Sequence, residues 1–300
     1  MIKLLGHTEI DRERWDYCIS NSVFETIYPY SWYLDLVSPG WDALVLDDFR
    51  AVMPLTWTKK LGFRLLLQPI LAQQLGIFSG DPLDTALLEE FLNTIPARFR
   101  YIDICLNMEN RDIPGKWGSF ERHNYELDLS LPEDSYNNNT RRNLQKGQSR
   151  EFEFRNISAG EYLYLKFHGM KDTRPSVRWS YLENLFEGLI KLRKAEIFGL
   201  FMGDNLQAAA ILGYAVSRTI YLNGCNSDAG KENRAMFVLM DKLISQSRGA
   251  DRIFDFEGSN ISGVARFYEG FGGKRTVYPR IVKTSFPFLK KIKLYYAKGN

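Results

Sequence analysis

The sequence predicts an α/β (α+β) protein built from two domains of similar topology, and three observations carry that expectation. Three hundred residues exceed what one hydrophobic core usually serves. Two strand-and-turn patterns recur about half a chain apart with the same punctuation. Segments of helical periodicity follow each of them in the same order.

The first pattern is ALVLDDFRAVMPLTWTKKLGFRLLLQ, from Ala43 to Gln68, and the second is IFGLFMGDNLQAAAILGYAVSRTIYLNG, from Ile197 to Gly224. In each, an apolar strand stops at an Asp-containing turn, Asp47-Asp48 and then Gly203-Asp204-Asn205. A second strand follows, then another turn and a third strand. Aligning Asp48 with Asp204 gives an offset of 156 residues; Asp103 in YIDICL and Asp255 in IFDFEG give 152; Gly118 and Gly272 give 154. Three landmarks in one order with nearly one spacing are the mark of a duplication.

The segments between these landmarks fit the same plan. LLEEFLNTIPARF from Leu87 and MFVLMDKLISQSRG from Met236 both carry apolar residues at helical spacing. A further helix, SYLENLFEGLIKLRKAE, precedes the second pattern with Leu182, Leu185, Phe186, Leu189, Ile190 and Leu192 mostly on one face. The expected domains span residues 1–135 and 151–300, joined by a basic linker helix at 136–150. Asn138 or Asn139 is placed to cap that helix, and Arg142 and Lys146, four residues apart, share a face.

Hydrophobic residues make up 45% and charged residues 25%, which disfavours disorder and coiled coil. The start, MIKLLGHTEIDRERW, has no apolar run long enough for a signal peptide, and nothing later approaches the roughly 18 apolar residues of a membrane span. A cytoplasmic protein without a transmembrane segment is the expectation. Cys18, Cys105 and Cys225 are odd in number and widely spaced, which supports neither a disulfide framework nor a zinc site. His7, His123 and His168 lack metal-ligand spacing, so no metal is expected. The net charge is +3, yet RRNLQKGQSR (Arg141 to Arg150) holds four basic residues and Lys283 to Asn300 holds five, with no acid in either. Subtracting those nine leaves the rest of the chain at −6, so these two stretches are where a polyanion would be drawn, if they are more than a solvated helix face and a soluble tail.

One stretch carries the most chemistry: FDFEGSNISGVARFYEGFGGK, from Phe254 to Lys274. Strand alternation sends Asp255 and Glu257 to one face and Phe254 and Phe256 to the other, toward the core. Adjacent carboxylates raise one another's pKa, which suits a general base near neutrality, and Glu257 is nearer the turn. A carboxylate that caps or salt-bridges the Gly-Ser-Asn turn is the alternative.

The order helix, antiparallel meander, helix, strand, helix, strand resembles the GCN5-related N-acetyltransferase (GNAT) fold. A tandem copy with a basic R-R-N-L-x-K segment resembles the FemABX-like branch of that superfamily, most specifically in NNNTRRNLQKG and DFEGSNISGVARFYEGFGG. The resemblance covers nearly the whole chain. It implies two tandem GNAT-like domains, each a mixed, mostly antiparallel sheet flanked by helices. Asn260 and Tyr268-Glu269-Gly270-Phe271 are similar to the family's Asn and Tyr-Glu-x-x-Gly-Phe motif, with Asn260 eight residues before the Tyr rather than seven. The resemblance makes Tyr268 the candidate general acid; a packing residue between Phe267 and Phe271 is the other reading.

The same resemblance implies acyl-coenzyme A as co-substrate, its pyrophosphate at the start of the helix after the fourth strand. Here that region is TIYLNGCNSDAGKENRAMFVLMDK, with the strand ending near Cys225 and the helix starting near Ala235. The loop between strand and helix holds Gly230 alone where the single-domain pattern is R-x-x-G-x-G. Lys231 and Arg234 are then the phosphate partners, and Asn223 and Asn226 the partners of a pantetheine or acyl carbonyl. Arg178 and Trp179, with Asp-Thr-Arg-Pro before them, are placed on the acceptor side. The corresponding first-domain loop, QPILAQQLGIFSGDPLD, has no Lys or Arg and is unfit for phosphate.

Three functions stand open at this level. One is an N-acyltransferase moving an acyl group from coenzyme A to a small-molecule or peptide amine. The second is an aminoacyl-tRNA-dependent peptidyltransferase of the Fem type acting on a cell-wall precursor, which the basic stretches favour and the small net charge does not. The third is a binding module that kept the fold and lost the donor.

Overall fold

Asp47 and Phe49 take left-handed backbone angles, as does Gly203, and these residues reverse the chain where the two hairpins were expected. In chain order the first half forms β1 (Ile2–Leu5), α1 (Arg12–Ser20), α2 (Ser31–Val37), β2 (Asp42–Leu46), β3 (Ala51–Leu55), β4 (Trp57–Lys60), β5 (Phe63–Leu67), β6 (Phe78–Ser79), α3 (Thr85–Thr94), β7 (Phe99–Cys105) and β8 (Gly118–Asp128). The rest forms α4 (Asn138–Gln148), β9 (Glu153–Asn156), α5 (Ala159–His168), α6 (Trp179–Lys191), β10 (Ala195–Met202), β11 (Asn205–Tyr214), β12 (Arg218–Asn226), α7 (Asp228–Glu232), α8 (Ala235–Ser247), β13 (Ile253–Asp255), α9 (Ser262–Gly270) and β14 (Lys274–Thr284). The computed structural model describes residues 1–130, 136–169, 178–249, 252–258 and 260–285.

Two units emerge from the packing. The first comprises Met1–Asn124, Gly258–Ile261 and the chain from Thr276, and the second Tyr125–Glu257 with Ser262–Arg275. They do not follow the 1–135 and 151–300 segments, because the last strand of each half ends in the other unit. The end of β8 pairs with β13 (Glu126 opposite Asp255), and the end of β14 pairs with β7 (Val282 opposite Asp103). Strand pairing is non-local, so a segmentation drawn from linear punctuation does not contain it.

In the first unit β1, β2, β3 and β6 form an antiparallel sheet, while β4, β5, β7 and β14 form a mixed one. The expected long strand after the Asp47-Asp48 turn divides at Thr56, just past Pro54, and its two pieces pair in different sheets. Proline removes a ladder donor, which favours such a break. Leu44, Met53, Leu66, Phe91, Leu92, Ile102 and Trp117 share the core.

In the second unit β8, β13, β12, β11, β10 and β9 follow one another, antiparallel throughout except for β12 with β13. Phe198, Leu200, Leu212, Leu239, Leu243, Phe254, Phe256 and Phe271 are buried together. On α6 the periodic face is Leu182, Leu185, Phe186 and Leu189, whereas Ile190 and Leu192 end the stripe exposed. Ser158 and Glu161 cap α5 reciprocally, with 3.2 and 2.8 Å bonds. The helix at 136–150 is capped by Asn137, whose Oδ1 accepts the Thr140 N–H at 2.8 Å, one residue before the expected asparagines. Among the described residues no helix is long and apolar enough to cross a membrane.

Candidate active site

β12 and β13 run parallel for only three residue pairs, Arg218–Ile253, Thr219–Phe254 and Ile220–Asp255. β12 then continues alone to Asn226 on that side, while remaining paired with β11 on the other. Two features drive the strands apart. Between Ile211 and Leu212 the β11 register slips, so that Leu222 is an extra residue and β12 bends there. On the other side the Phe256 N–H bonds to the Tyr125 carbonyl of β8 at 2.9 Å, and the chain leaves β12. A row of β12 backbone groups past Ile220 therefore has no β13 partner.

The two carboxylates of the motif divide in role. Asp255 is 1% exposed, lies 3.5 Å from the Arg218 guanidinium and accepts the Glu257 N–H at 2.9 Å. Arg218 also meets Glu126 at 2.5 Å. Glu257 is half-buried, with φ at 61°, a conformation that costs a non-glycine residue of order 1 kcal/mol or more. The expected strict alternation ends at Asp255, where β13 stops, and Glu257 is aimed by its own backbone turn and by the Asp255 cap. Phe254 and Phe256 are fully buried, as expected.

Tyr268 projects from α9 into this region. Its ring stacks on Phe256 at 5.1 Å and lies 6.0 and 6.2 Å from the rings of Tyr125 and Tyr221. At 8% exposure it is a member of the core as well as a site candidate. Burial raises its pKa above the ordinary phenol value, and the negative charges of Glu257 and Asp255 raise it further. Tyr268 thus keeps its proton at neutral pH.

The donor-side residues sit on the loop and helices after β12. Lys231 and Arg234 are exposed; Lys231 lies 3.8 Å from Asp228, and the Arg234 guanidinium donates to the Lys231 carbonyl at 3.1 Å. Arg234 has φ at 62° and opens α8 without a side-chain cap. Gly230 serves packing: its N–H is taken by Ser227 Oγ at 2.8 Å, and a Cβ there would fall 2.0 Å from the Gln207 carbonyl. Asn226 has a buried Oδ1 with no partner among the described residues. Asn223 Oδ1 accepts from Tyr162 Oη at 2.7 Å and Lys166 Nζ at 2.6 Å.

The expected linker helix is a wall of the second unit. Gly147 of α4 is buried where a Cβ would fall 2.5 Å from Val238 of α8, and Thr140 rests against Gly270 of α9. The Asn137 N–H donates to the Gly270 carbonyl at 3.0 Å. Exposed Arg141, Arg142 and Lys146 are thereby carried on the helix that packs against the start of α8.

Other expected site residues lie elsewhere. Trp179 opens α6 and packs against Phe167 at 5.2 Å, with Arg178 exposed before it; Asp-Thr-Arg-Pro lies outside the described residues. Asn260 belongs to the first unit, where its Oδ1 accepts the His123 N–H at 3.4 Å. The first unit also holds an open cavity of about 580 Å³ lined mainly by Met108, Ile113, Phe120, Val277, Tyr278 and Pro279, none of them an expected site residue. Among the described residues no three His, Cys, Asp or Glu side chains are grouped to hold a metal.

No family model and no curated protein sequence matches the chain. Solved structures do. The crystal structure of FemX matches with TM-score 0.66 and 14% identity, over 97% of this chain and 99% of that one. L-PGS from Bacillus licheniformis matches with TM-score 0.59 and 12% identity over 96% of both chains. A tandem GNAT protein from the clavulanic acid biosynthesis pathway matches with TM-score 0.58 and 10% identity, over 96% of this chain and 99% of that one. The fold is the tandem GNAT fold.

Within this tandem GNAT fold, sequence reasoning missed Arg218, Glu126, Tyr125, Tyr162, Tyr221 and Lys166. The spacing of Tyr162 and Lys166, four apart on one helix, was the available signal for two of them. For the others only the strand pairing brings them together. Asp255→Ala should lower stability by about 3 kcal/mol, because it strips a buried cation of one partner and Glu257 of its cap. Urea unfolding followed by circular dichroism checks this, and a loss below about 1 kcal/mol, the range of exposed pairs, would show that the ion pair does not hold the strand end.

Proposed function

We propose that this chain is an N-acyltransferase that moves an acyl group from acyl-coenzyme A to an amine acceptor, with the donor held in the second unit. The observation that carries the reading is the parting of β12 from β13 beside Tyr268 and Glu257. In the reaction the amine nitrogen forms a bond to the thioester carbonyl carbon, and the carbon–sulfur bond breaks. Glu257 accepts the proton that the amine loses, and Tyr268 donates toward the departing sulfur as negative charge develops there. The phosphates lie toward the start of α8, next to Lys231 and Arg234, where a helix start without a side-chain cap and two cations favour an anion.

A second reading has its own support. The exposed cations of α4 sit on the helix packed against α8, which suits a longer polyanion such as the tRNA of an aminoacyl donor. The likeness to FemX and L-PGS is compatible with that class as far as the fold goes. The acyl-coenzyme A reading is preferred because the parted strands and the α8 start need no additional surface.

Acetyl-coenzyme A should raise the melting temperature of the protein and bind in calorimetry, and replacing Lys231 and Arg234 together with Ala should weaken that binding about tenfold or more while leaving circular dichroism unchanged. Unaltered affinity in the double variant would place the phosphates elsewhere. Absence of binding together with salt-sensitive retention of charged tRNA would favour the second reading. With an amine acceptor in hand, Tyr268→Phe should reduce turnover by on the order of a hundredfold with little change in donor affinity. Unchanged turnover would remove Tyr268 from the chemistry.

A further inference from the structure

Asn223 occupies the stretch of β12 that has lost β13, opposite Ile211 of β11 at the register slip. Its carboxamide is unusually constrained. Tyr162 and Lys166 lie four residues apart on α5 and so share a helix face, and both donate to Asn223 Oδ1, at 2.7 and 2.6 Å. A hydroxyl alone would leave the amide free to be read either way round. An ammonium only donates, so Lys166 fixes the oxygen end toward α5 and turns the Nδ2 hydrogens away from it.

Holding the amide this way is costly in materials. Tyr162 is fully buried, and Lys166 is half-buried with its pKa lowered by burial and partly restored by Cys225. The Lys166 ammonium also lies 5.9 Å over the Tyr162 ring, yet an ammonium facing one neutral oxygen and a ring is a weak stabilising contact, since desolvating the charge opposes it. Its physical effect is on Asn223: a cation at the oxygen polarises the amide and strengthens the N–H groups as donors. The neighbouring backbone is equally particular. A Cβ on Gly224 would fall 1.8 Å from the Tyr221 hydroxyl, so any other residue there would have to displace that phenol.

We propose that Lys166 and Tyr162 are positioning residues that lock the Asn223 carboxamide as an N–H donor to the acyl carbonyl of the donor. The inference rests on the acyl-coenzyme A reading given above. In the addition step the carbonyl oxygen gains negative charge, and a fixed donor that needs no reorganisation stabilises it. Removing one such donor lowers turnover by about a hundredfold.

The test uses the full chain and acetyl-coenzyme A carrying an isotope label at its carbonyl, read by difference infrared spectroscopy alongside calorimetric affinity. The carbonyl band of bound donor should move to lower wavenumber in the unaltered protein. Asn223→Asp, which keeps the shape and the accepting oxygen but lacks the N–H, should lose the shift. Lys166→Met and Tyr162→Phe should each lose part of it with affinity within about threefold of the original, and Lys166→Arg should restore it. A shift that persists in Asn223→Asp overturns the proposal, as does an unshifted band in the unaltered protein with tight binding, which leaves the acyltransferase reading standing. Failure to bind at all overturns that reading and this inference with it. Should Tyr162→Phe unfold, Lys166→Met on the half-exposed side decides the matter, a shift of undiminished size counting against the proposal.

Discussion

Three parallel residue pairs are all that join β12 to β13, and the last of them carries Asp255, whose carboxylate holds Arg218 on one side and the Glu257 amide on the other. That buried ion pair is the constraint on which the second unit's site depends. It closes the two strands at their beginning and sets the point from which they part. Replacing both members together with apolar side chains of similar size is often tolerated in a core, yet here the carboxylate also supplies the cap that aims Glu257. The pair is better understood as a fixture of geometry than as a source of stability.

From that point the geometry of the site follows by position. β12 continues past its last β13 pair at Ile220, bent by the extra residue Leu222. Phe256 is tied to β8, and its ring is the platform on which Tyr268 stacks. Burial and two nearby carboxylates keep the phenol protonated. The tyrosine expected either as acid or as packing residue has its ring in the core, while the charges that raise its pKa belong to the strand end; its part as acid is the proposal made above. The matched structures, at 10–14% identity, share the fold with this chain, and the fold alone leaves the residues to be argued one by one.

Much of this was legible in the sequence because local chemistry dictates it. The Asp-containing turns, the apolar faces of α3, α6 and α8, the end of β12 and the start of α8 all fell close to where punctuation and periodicity put them. What escaped was non-local. No pattern in the chain shows that the end of β8 pairs with β13, that Pro54 and Thr56 divide a strand between sheets, or that the basic helix α4 packs through Gly147 and Thr140 on α8 and α9. Gly230 reads as a remnant of a phosphate loop, and only the nearness of the Gln207 carbonyl shows that packing requires it. Alternation put Asp255 and Glu257 on one face, with nearness to the turn favouring Glu257, and only the structure shows the left-handed turn at Glu257 that separates them.

The most direct test of the account is hydrogen exchange of the β12 amides with and without coenzyme A. If the parted strands and the start of α8 hold the donor, exchange should slow at residues 222–226 and 235–237 while β9 and β10 exchange as before. Protection confined to other segments, with these amides unchanged at saturating coenzyme A, would contradict the claim that the opening beside β12 is where the donor binds.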